Sequence, residues 1–270
     1  MRCRMLLFCL VALCLPSADL TFQKIGRGPG VLLIHGFGGN KEVWTGVAAE
    51  LAWDHTVLSV DLPGSGGSPG PSVVEGRADF GVLAKDLAIL VRKEGLLPCL
   101  VVGHSMGGPI AARTVLEDPG AFRGLVLVDS FLSAIPAGWV ESIVVALGKD
   151  PAPALAPFMG PISAGPAQTE RLVTDALKVP VPVLQAYLRA MARDPLAARQ
   201  AQLRLPVLQL AAGPLEVDPA KAAATLVQHG FKDLPTFRVI HFPTAKHWIM
   251  WDAPEAFLIA VRAFEAGLGR

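Results

Sequence analysis

Short, continuous apolar runs alternate with stretches in which apolar residues recur every three to four positions. The runs that predict strands are residues 31–34, 56–60, 99–102, 124–128, 207–211 and 237–242. Phe80, Leu83, Leu87 and Leu90 have the spacing of a helix that stops at Gly95, and a similar pattern follows Pro254 at the C-terminus. Continuous apolar strands that alternate with helices predict an α/β fold with a mostly parallel central sheet and helices on both faces.

The alternation breaks between residues 131 and 204. Nine prolines divide this stretch into short helical pieces, yet it carries many Leu, Val, Ile and Phe residues. A solvated linker lacks so much apolar surface, so we expect a helical cap inserted between two strands of the sheet. The predicted organisation is a core domain formed by residues 19–130 and 205–270, with the cap at residues 131–204.

The N-terminus has the layout of a secretory signal. Arg2 and Arg4 precede an apolar run at residues 5–15, and Pro16, Ser17 and Ala18 follow it. We expect a signal peptide at residues 1–18 and an exported protein, periplasmic or secreted. Eleven apolar residues are too few for the roughly 20 that span a bilayer, so no stable membrane span is expected after cleavage. The alternatives are a buried N-terminal strand or an uncleaved anchor through residues 5–15.

Composition and charge narrow the partners and cofactors. The 270 residues are 52% hydrophobic and 17% charged, which is typical of a folded, core-rich protein. The net charge of +1 includes no basic run, so a nucleic-acid partner is not expected. Three of the four cysteines lie before residue 18, which leaves Cys99 without a disulfide partner or a set of zinc ligands. We expect no metal and no cofactor; the oligomeric state is not readable from the sequence.

The strongest chemical signal is the pentapeptide Gly103-His104-Ser105-Met106-Gly107. It lies directly after the predicted strand at residues 99–102 and directly before a helical pattern at residues 110–116. A serine on a sharp strand-to-helix turn has a strained backbone and an exposed hydroxyl, and the flanking glycines prevent clashes there. This context predicts that Ser105 is a nucleophile.

Three further segments make the chain resemble the α/β-hydrolase family over nearly its whole length after residue 18. These segments are His35-Gly36-Phe37-Gly38-Gly39, Asp61-Leu62-Pro63-Gly64-Ser65-Gly66-Gly67-Ser68 and Lys246-His247-Trp248. The resemblance implies an α/β-hydrolase fold in which the backbone amides of Phe37 and Met106 form the oxyanion hole. His247 is assigned as the general base because serine needs a base to take its proton. His104 is expected to form a local hydrogen bond.

The carboxylate that orients the histidine is open. The resemblance implies an acid after the strand that follows the cap, where Gly213-Pro214-Leu215-Glu216 is found, with Asp218 two residues later. A second location implied by the resemblance follows the strand before the cap, where Asp129 is found. We expect Glu216 first, Asp129 second and Asp218 third.

The function expected from these residues is a serine hydrolase that cleaves a carboxylic ester of a small apolar substrate through an acyl-enzyme. The apolar composition of the predicted cap favours an apolar substrate. A carbon–carbon bond hydrolase and a cofactor-free perhydrolase use the same triad and are alternatives. A weakly catalytic ligand-binding receptor is the alternative from another class, and the unusual acid is the feature that favours it.

Overall fold

The structure is a computed structural model, which describes residues 19–268 apart from residues 72, 75, 194, 215 and 233. The expected signal peptide lies outside the described residues and stays a prediction.

Seven strands form one sheet with the order β1-β3-β2-β6-β7-β8-β9, in which β1 runs antiparallel to β3 and the other neighbours are parallel. The strands are β1 Phe22–Gly26, β2 Gly30–Ile34, β3 Thr56–Val60, β6 Cys99–His104, β7 Phe122–Val128, β8 Val207–Ala212 and β9 Phe237–Phe242. Two-residue strands β4 Val73–Val74 and β5 Arg77–Ala78 form a separate hairpin. The predicted α/β fold with a mostly parallel sheet is confirmed.

In the described part of the chain, ten α-helices surround the sheet or join its strands. They are α1 Thr45–Leu51, α2 Phe80–Lys93, α3 Gly107–Glu117, α4 Ala137–Lys149, α5 Pro151–Met159, α6 Pro166–Ala176, α7 Val181–Arg193, α8 Pro219–Gln228, α9 Ile249–Asp252 and α10 Pro254–Ala266. Helices α4 to α7 occupy the interval between β7 and β8, and we refer to them as the helical insert. The exact division between core and cap stays a prediction.

The centre of the sheet is buried on both faces. Every residue of β2 and β6 is buried, which explains why these strands have no polar alternation. At the edge, β1 has the sequence FQKIG, with exposed Gln23 and Lys24, and sequence patterning did not predict it. The carboxyl ends of β2, β6, β7, β8 and β9 meet at one edge of the sheet, where ligands bind in open α/β folds.

An ion network lies away from that edge, at the start of β3. The Nε2 atom of His55 lies 2.7 Å from Oε2 of Glu265 in α10, and its Nδ1 atom lies 2.7 Å from Oδ1 of Asp54. Arg123 in β7 also pairs with Glu265. The hydrogen bond to Glu265 raises the pKa of His55 more than burial lowers it. Burial raises the pKa of Glu265, but His55 and Arg123 bring it below its usual value.

The raised pKa of His55 and the lowered pKa of Glu265 predict a pH-dependent contribution to stability. The raised pKa of His55 stabilises the fold fully below its unfolded pKa of about 6.5, and this contribution is lost as pH rises through the folded pKa. Glu265 remains ionised down to about pH 4.5 because its own pKa is lowered. We therefore expect His55→Gln to destabilise the protein more at pH 6 than at pH 9, measured by urea unfolding. A difference from wild type that is constant between these pH values would contradict the prediction.

Candidate active site

Ser105 lies on the turn between β6 and α3, with a φ of 51°. A positive φ is uncommon for a residue with a Cβ and costs of order 1–3 kcal/mol, so the surroundings must hold it in place. Its backbone N–H donates to Val128 O at 3.0 Å. Its carbonyl oxygen accepts from Gly108 N at 2.9 Å and from Ser130 Oγ at 2.6 Å. The turn predicted from the sequence is present, and hydrogen bonds to both the N–H and the carbonyl oxygen of Ser105 hold it in place.

Glycines allow this turn to approach its neighbours closely. A Cβ at Gly103 would lie 2.3 Å from the carbonyl oxygen of Gly107, and a Cβ at Gly107 would lie 2.5 Å from that of Ile34. Both neighbours are backbone atoms, which cannot move away cheaply. The two glycines therefore allow α3 to start directly against β6 and β2.

The loop after β2 lies against the serine. A Cβ at Gly36 would lie 3.0 Å from Ser105 Cβ. His35 is fully buried, and burial lowers its pKa to about 4, so the ring is neutral. Its Nδ1 donates to Gly36 O at 2.8 Å, and its Nε2 accepts from Leu62 N at 2.9 Å. This histidine fixes the loop that carries Phe37, whose side chain, like that of Met106, is buried.

His247 lies on the loop after β9 and is paired with Asp129. Its Nδ1 lies 2.6 Å from Oδ2 of Asp129, at the carboxyl end of β7. The other carboxylate oxygen, Oδ1, accepts from Ala212 N at 2.9 Å. Burial raises the pKa of Asp129, but its hydrogen bond to His247 and the charge of that histidine bring the pKa below its usual value. The carboxyl group is therefore ionised at neutral pH.

The other two candidate acids do not reach His247. Glu216 is exposed, and its Oε1 accepts from Asp218 N at 2.9 Å. Asp218 is the N-cap of α8 and accepts from Ala220 N at 2.9 Å. The order expected from the sequence, with Glu216 first, is corrected: the side chain of Glu216 turns towards the start of α8, and Asp129 contacts the histidine.

His104 has a partner that sequence reasoning missed. Its Nε2 lies 3.0 Å from the backbone oxygen of His247, and the two ring centroids are 4.6 Å apart. Burial, and next the charge of His247, lower the pKa of His104 well below its usual value. The neutral ring therefore donates from Nε2 and supports the loop of His247. The expected local hydrogen bond is wrong because the partner is 143 positions away.

The helical insert contacts both loops of this site. His247 N donates to Ile162 O at 3.1 Å, between α5 and α6. The ring of Phe158 in α5 packs edge-on against Phe37, with centroids 5.7 Å apart, and Trp139 in α4 packs against Phe158 at 5.6 Å. Aromatic side chains therefore cover the loop next to Ser105.

The motif at residues 61–68 forms a supporting turn. Asp61 is fully buried, and its two carboxylate oxygens accept from Lys41 N and Lys41 Nζ, both at 2.8 Å. Oδ2 also accepts from Gly67 N at 3.0 Å.

Within residues 19–268, as far as they are described, no cluster of three His, Cys, Asp or Glu side chains is suited to a metal. In the same part of the chain, no helix has the length and apolar character to cross a membrane.

Comparison with known proteins identifies the family. Residues 29–254 match the family described as alpha/beta hydrolase fold. The chain belongs to the alpha/beta hydrolase fold family. This agrees with the sheet order, the serine turn and the histidine loop described above.

Curated relatives of this alpha/beta hydrolase include named esterases. It is 35% identical to a pimeloyl-acyl-carrier-protein methyl ester esterase of Aeromonas salmonicida over 114 residues, which cover 42% of each chain. A protein of the same name from Nitrosomonas europaea is 28% identical over 258 residues, covering 89% of this chain and 97% of that protein. The match to the Aeromonas protein thus spans less than half of that relative's length.

Solved structures show the same fold over almost the whole chain. An esterase from Exiguobacterium antarcticum superposes with a TM-score of 0.78 and 18% identity, covering 92% of this chain and 97% of the other. An esterase from Rhodococcus sp. ECU1013 superposes with a TM-score of 0.75 and 25% identity, covering 93% and 95%.

The packing of the serine turn predicts a strong effect of a single methyl group. Gly103→Ala places a Cβ against the backbone of Gly107, and we expect a loss of about 1–3 kcal/mol in the free energy of unfolding. Gly138→Ala is the matched control because its Cβ would meet no atom within 4 Å. Urea unfolding of both variants tests this, and equal stability of the two would contradict it.

Proposed function

We propose that this protein is a serine esterase that cleaves a carboxylic ester with an apolar acyl group through an acyl-enzyme. The observation that carries the proposal is the 2.6 Å contact between Asp129 Oδ2 and His247 Nδ1 at the same sheet edge as the Ser105 turn. A carboxylate on Nδ1 leaves Nε2 of His247 free to act as a base. The ordered acid, histidine and serine are the parts that ester hydrolysis needs.

In the first half of this mechanism, Ser105 Oγ attacks the ester carbonyl carbon while Nε2 of His247 takes the hydroxyl proton. The carbonyl oxygen becomes negatively charged, and the N–H groups of Phe37 and Met106 donate to it. The ionised Asp129 stabilises the positive charge on His247. The carbon–oxygen bond to the alcohol then breaks as His247 returns the proton to the leaving oxygen, which gives a free alcohol and an acyl-Ser105 ester.

Water completes the cycle by the same steps. His247 takes a proton from water, whose oxygen attacks the acyl carbon, and the oxyanion is stabilised again by the two backbone amides. When the intermediate collapses, the bond to Ser105 Oγ breaks and His247 protonates that oxygen. The products are a carboxylic acid and the free serine, with no redox change and no co-reactant besides water.

An apolar acyl group is supported by the side chains near the serine. Phe37, Phe158 and Trp139 provide aromatic surface at the loop that carries one of the oxyanion donors. The relatives named as methyl ester esterases support an ester as the bond that is cleaved. A carbon–carbon hydrolase, a perhydrolase and a weakly catalytic receptor are the functions against which the experiment discriminates.

The proposal predicts turnover of nitrophenyl esters that depends on Ser105. With a series of acyl chains from two to twelve carbons, we expect an optimum above four carbons and a loss of at least about 10³-fold in kcat for Ser105→Ala. Nitrophenolate release is followed by absorbance. Release that persists in Ser105→Ala would contradict a serine mechanism. Folded wild-type protein that turns over none of these esters would favour one of the other functions.

The acid assignment predicts a contrast between two carboxylates. Asp129→Asn keeps the shape of the side chain but removes the charge, and we expect kcat to fall by about 10³- to 10⁴-fold. Glu216→Gln is the matched control, and we expect its kcat to stay within about twofold of wild type because its partner is a backbone amide in its own loop. The opposite ranking in steady-state kinetics would return the role to Glu216.

A further inference from the structure

A second cavity lies between the sheet and α8. Its volume is about 660 Å³, which falls in the usual range of small-molecule sites. Asp129 is on its wall, but Ser105 and His247 are not among its lining residues. The cavity is therefore distinct from the reacting atoms.

The walls follow from the periodicity of their elements. Gln209 and Ala211 in β8 point to the same face, as do Val239 and His241 in β9, because side chains alternate along a strand. Ala222, Thr225 and Leu226 form the facing side of α8. None of the described residues of α8 is buried, so this helix stands off the sheet and leaves the space open.

Two buried polar atoms on the sheet face have no partner among the described residues. Gln209 is 4% exposed, and its Nε2 donates to Ser130 O at 3.3 Å, which leaves Oε1 without a hydrogen bond. The Nδ1 atom of His241 is also buried and unpaired among the described residues. In the register of the two strands, Gln209 pairs with Val239 and Ala211 pairs with His241, so the two polar side chains are diagonal neighbours on one face.

Buried polar atoms destabilise a fold unless they form hydrogen bonds. A buried polar group without a hydrogen bond destabilises a fold by about 1–3 kcal/mol, and native proteins contain few. A hydroxyl group donates one hydrogen bond and accepts others, so a single hydroxyl serves both the Gln209 oxygen and the His241 nitrogen. The remaining surface of the cavity is mostly apolar and includes Phe131, Ile135 and Leu226, beside polar side chains such as Ser133 and His229.

The charge of the cavity selects against an anion. Among the described residues that line it there is no lysine or arginine, whereas the carboxylate of Asp129 is on its wall and Glu216 is at its exposed side. We propose that this cavity is a binding site for a neutral alcohol with an aliphatic body, whose hydroxyl group bonds Gln209 and His241. The site shares Asp129 with the proposed active site but does not depend on ester hydrolysis.

Displacement of the neutral fluorescent probe N-phenyl-1-naphthylamine from the full protein tests this site. Three competitors of equal chain length are compared: 1-octanol, methyl octyl ether and octanoate. The ether has no hydrogen-bond donor, and octanoate carries a charge. We expect 1-octanol to bind about tenfold more tightly than either, the ratio for one buried hydrogen bond.

Two substitutions locate the site. Ala222→Phe fills the cavity from the α8 face and is expected to abolish binding of the probe and of 1-octanol. Ala224→Phe adds the same ring at an exposed position of the same helix and is expected to bind both as wild type does. Gln209→Leu removes the acceptor and is expected to reduce the preference of 1-octanol over the ether to about twofold or less.

The outcomes separate the alternatives. Binding that Ala222→Phe does not affect would place the alcohol elsewhere and overturn the proposal. Equal affinity for alcohol and ether in wild type would mean that water alone serves the two polar atoms, which also overturns it. Circular dichroism of each variant establishes that it is folded, and none of these readouts requires ester turnover.

Discussion

The site depends on two left-handed turns at the carboxyl ends of adjacent strands. Ser105 after β6 has a φ of 51°, and Asp129 after β7 has a φ of 41°. No other described residue with a Cβ has a positive φ. Hydrogen bonds from Ser105 N to Val128 O and from Asp129 N to Leu210 O continue the sheet past each strand end. Hydrogen bonds of the sheet thus offset the backbone strain of both turns and fix the serine and the carboxylate relative to each other.

Much of the sheet was predictable because its central strands are buried on both faces. A strand covered by helices on both sides is a continuous apolar run, and β3, with residues 57–60 buried, has the bounds that its run predicts. The strand β1 was not predicted because its exposed edge position tolerates Gln23 and Lys24. Its place is fixed by pairing with β3, a long-range contact that local patterning does not encode.

The parts of the site differ in the same way. The Ser105 turn was predictable because strand, glycines and helix follow one another along the chain, so the local sequence shows the order of its elements. The carboxylate that contacts His247 was not predictable, because the sheet topology decides which loop lies next to this histidine. Asp129 and Glu216 follow neighbouring strands, but Asp129 contacts His247 whereas Glu216 accepts a hydrogen bond from Asp218 N in its own loop. The bond between His104 and His247 is long-range for the same reason.

The position of Asp129 also bears on the neighbouring part of the fold. Because Asp129 after β7 holds His247, the loop after β8 does not have to supply a carboxylate to the site. The contact of this region with the carboxylate of Asp129 is a hydrogen bond from the backbone N–H of Ala212, the last residue of β8. The chain beyond Ala212 is then free of the geometric demands of the histidine. No described residue of helix α8 is buried, and the side chains of Gln209 and His241 line the cavity between this helix and the sheet. One carboxylate thus contacts the histidine and also lines the cavity beside it.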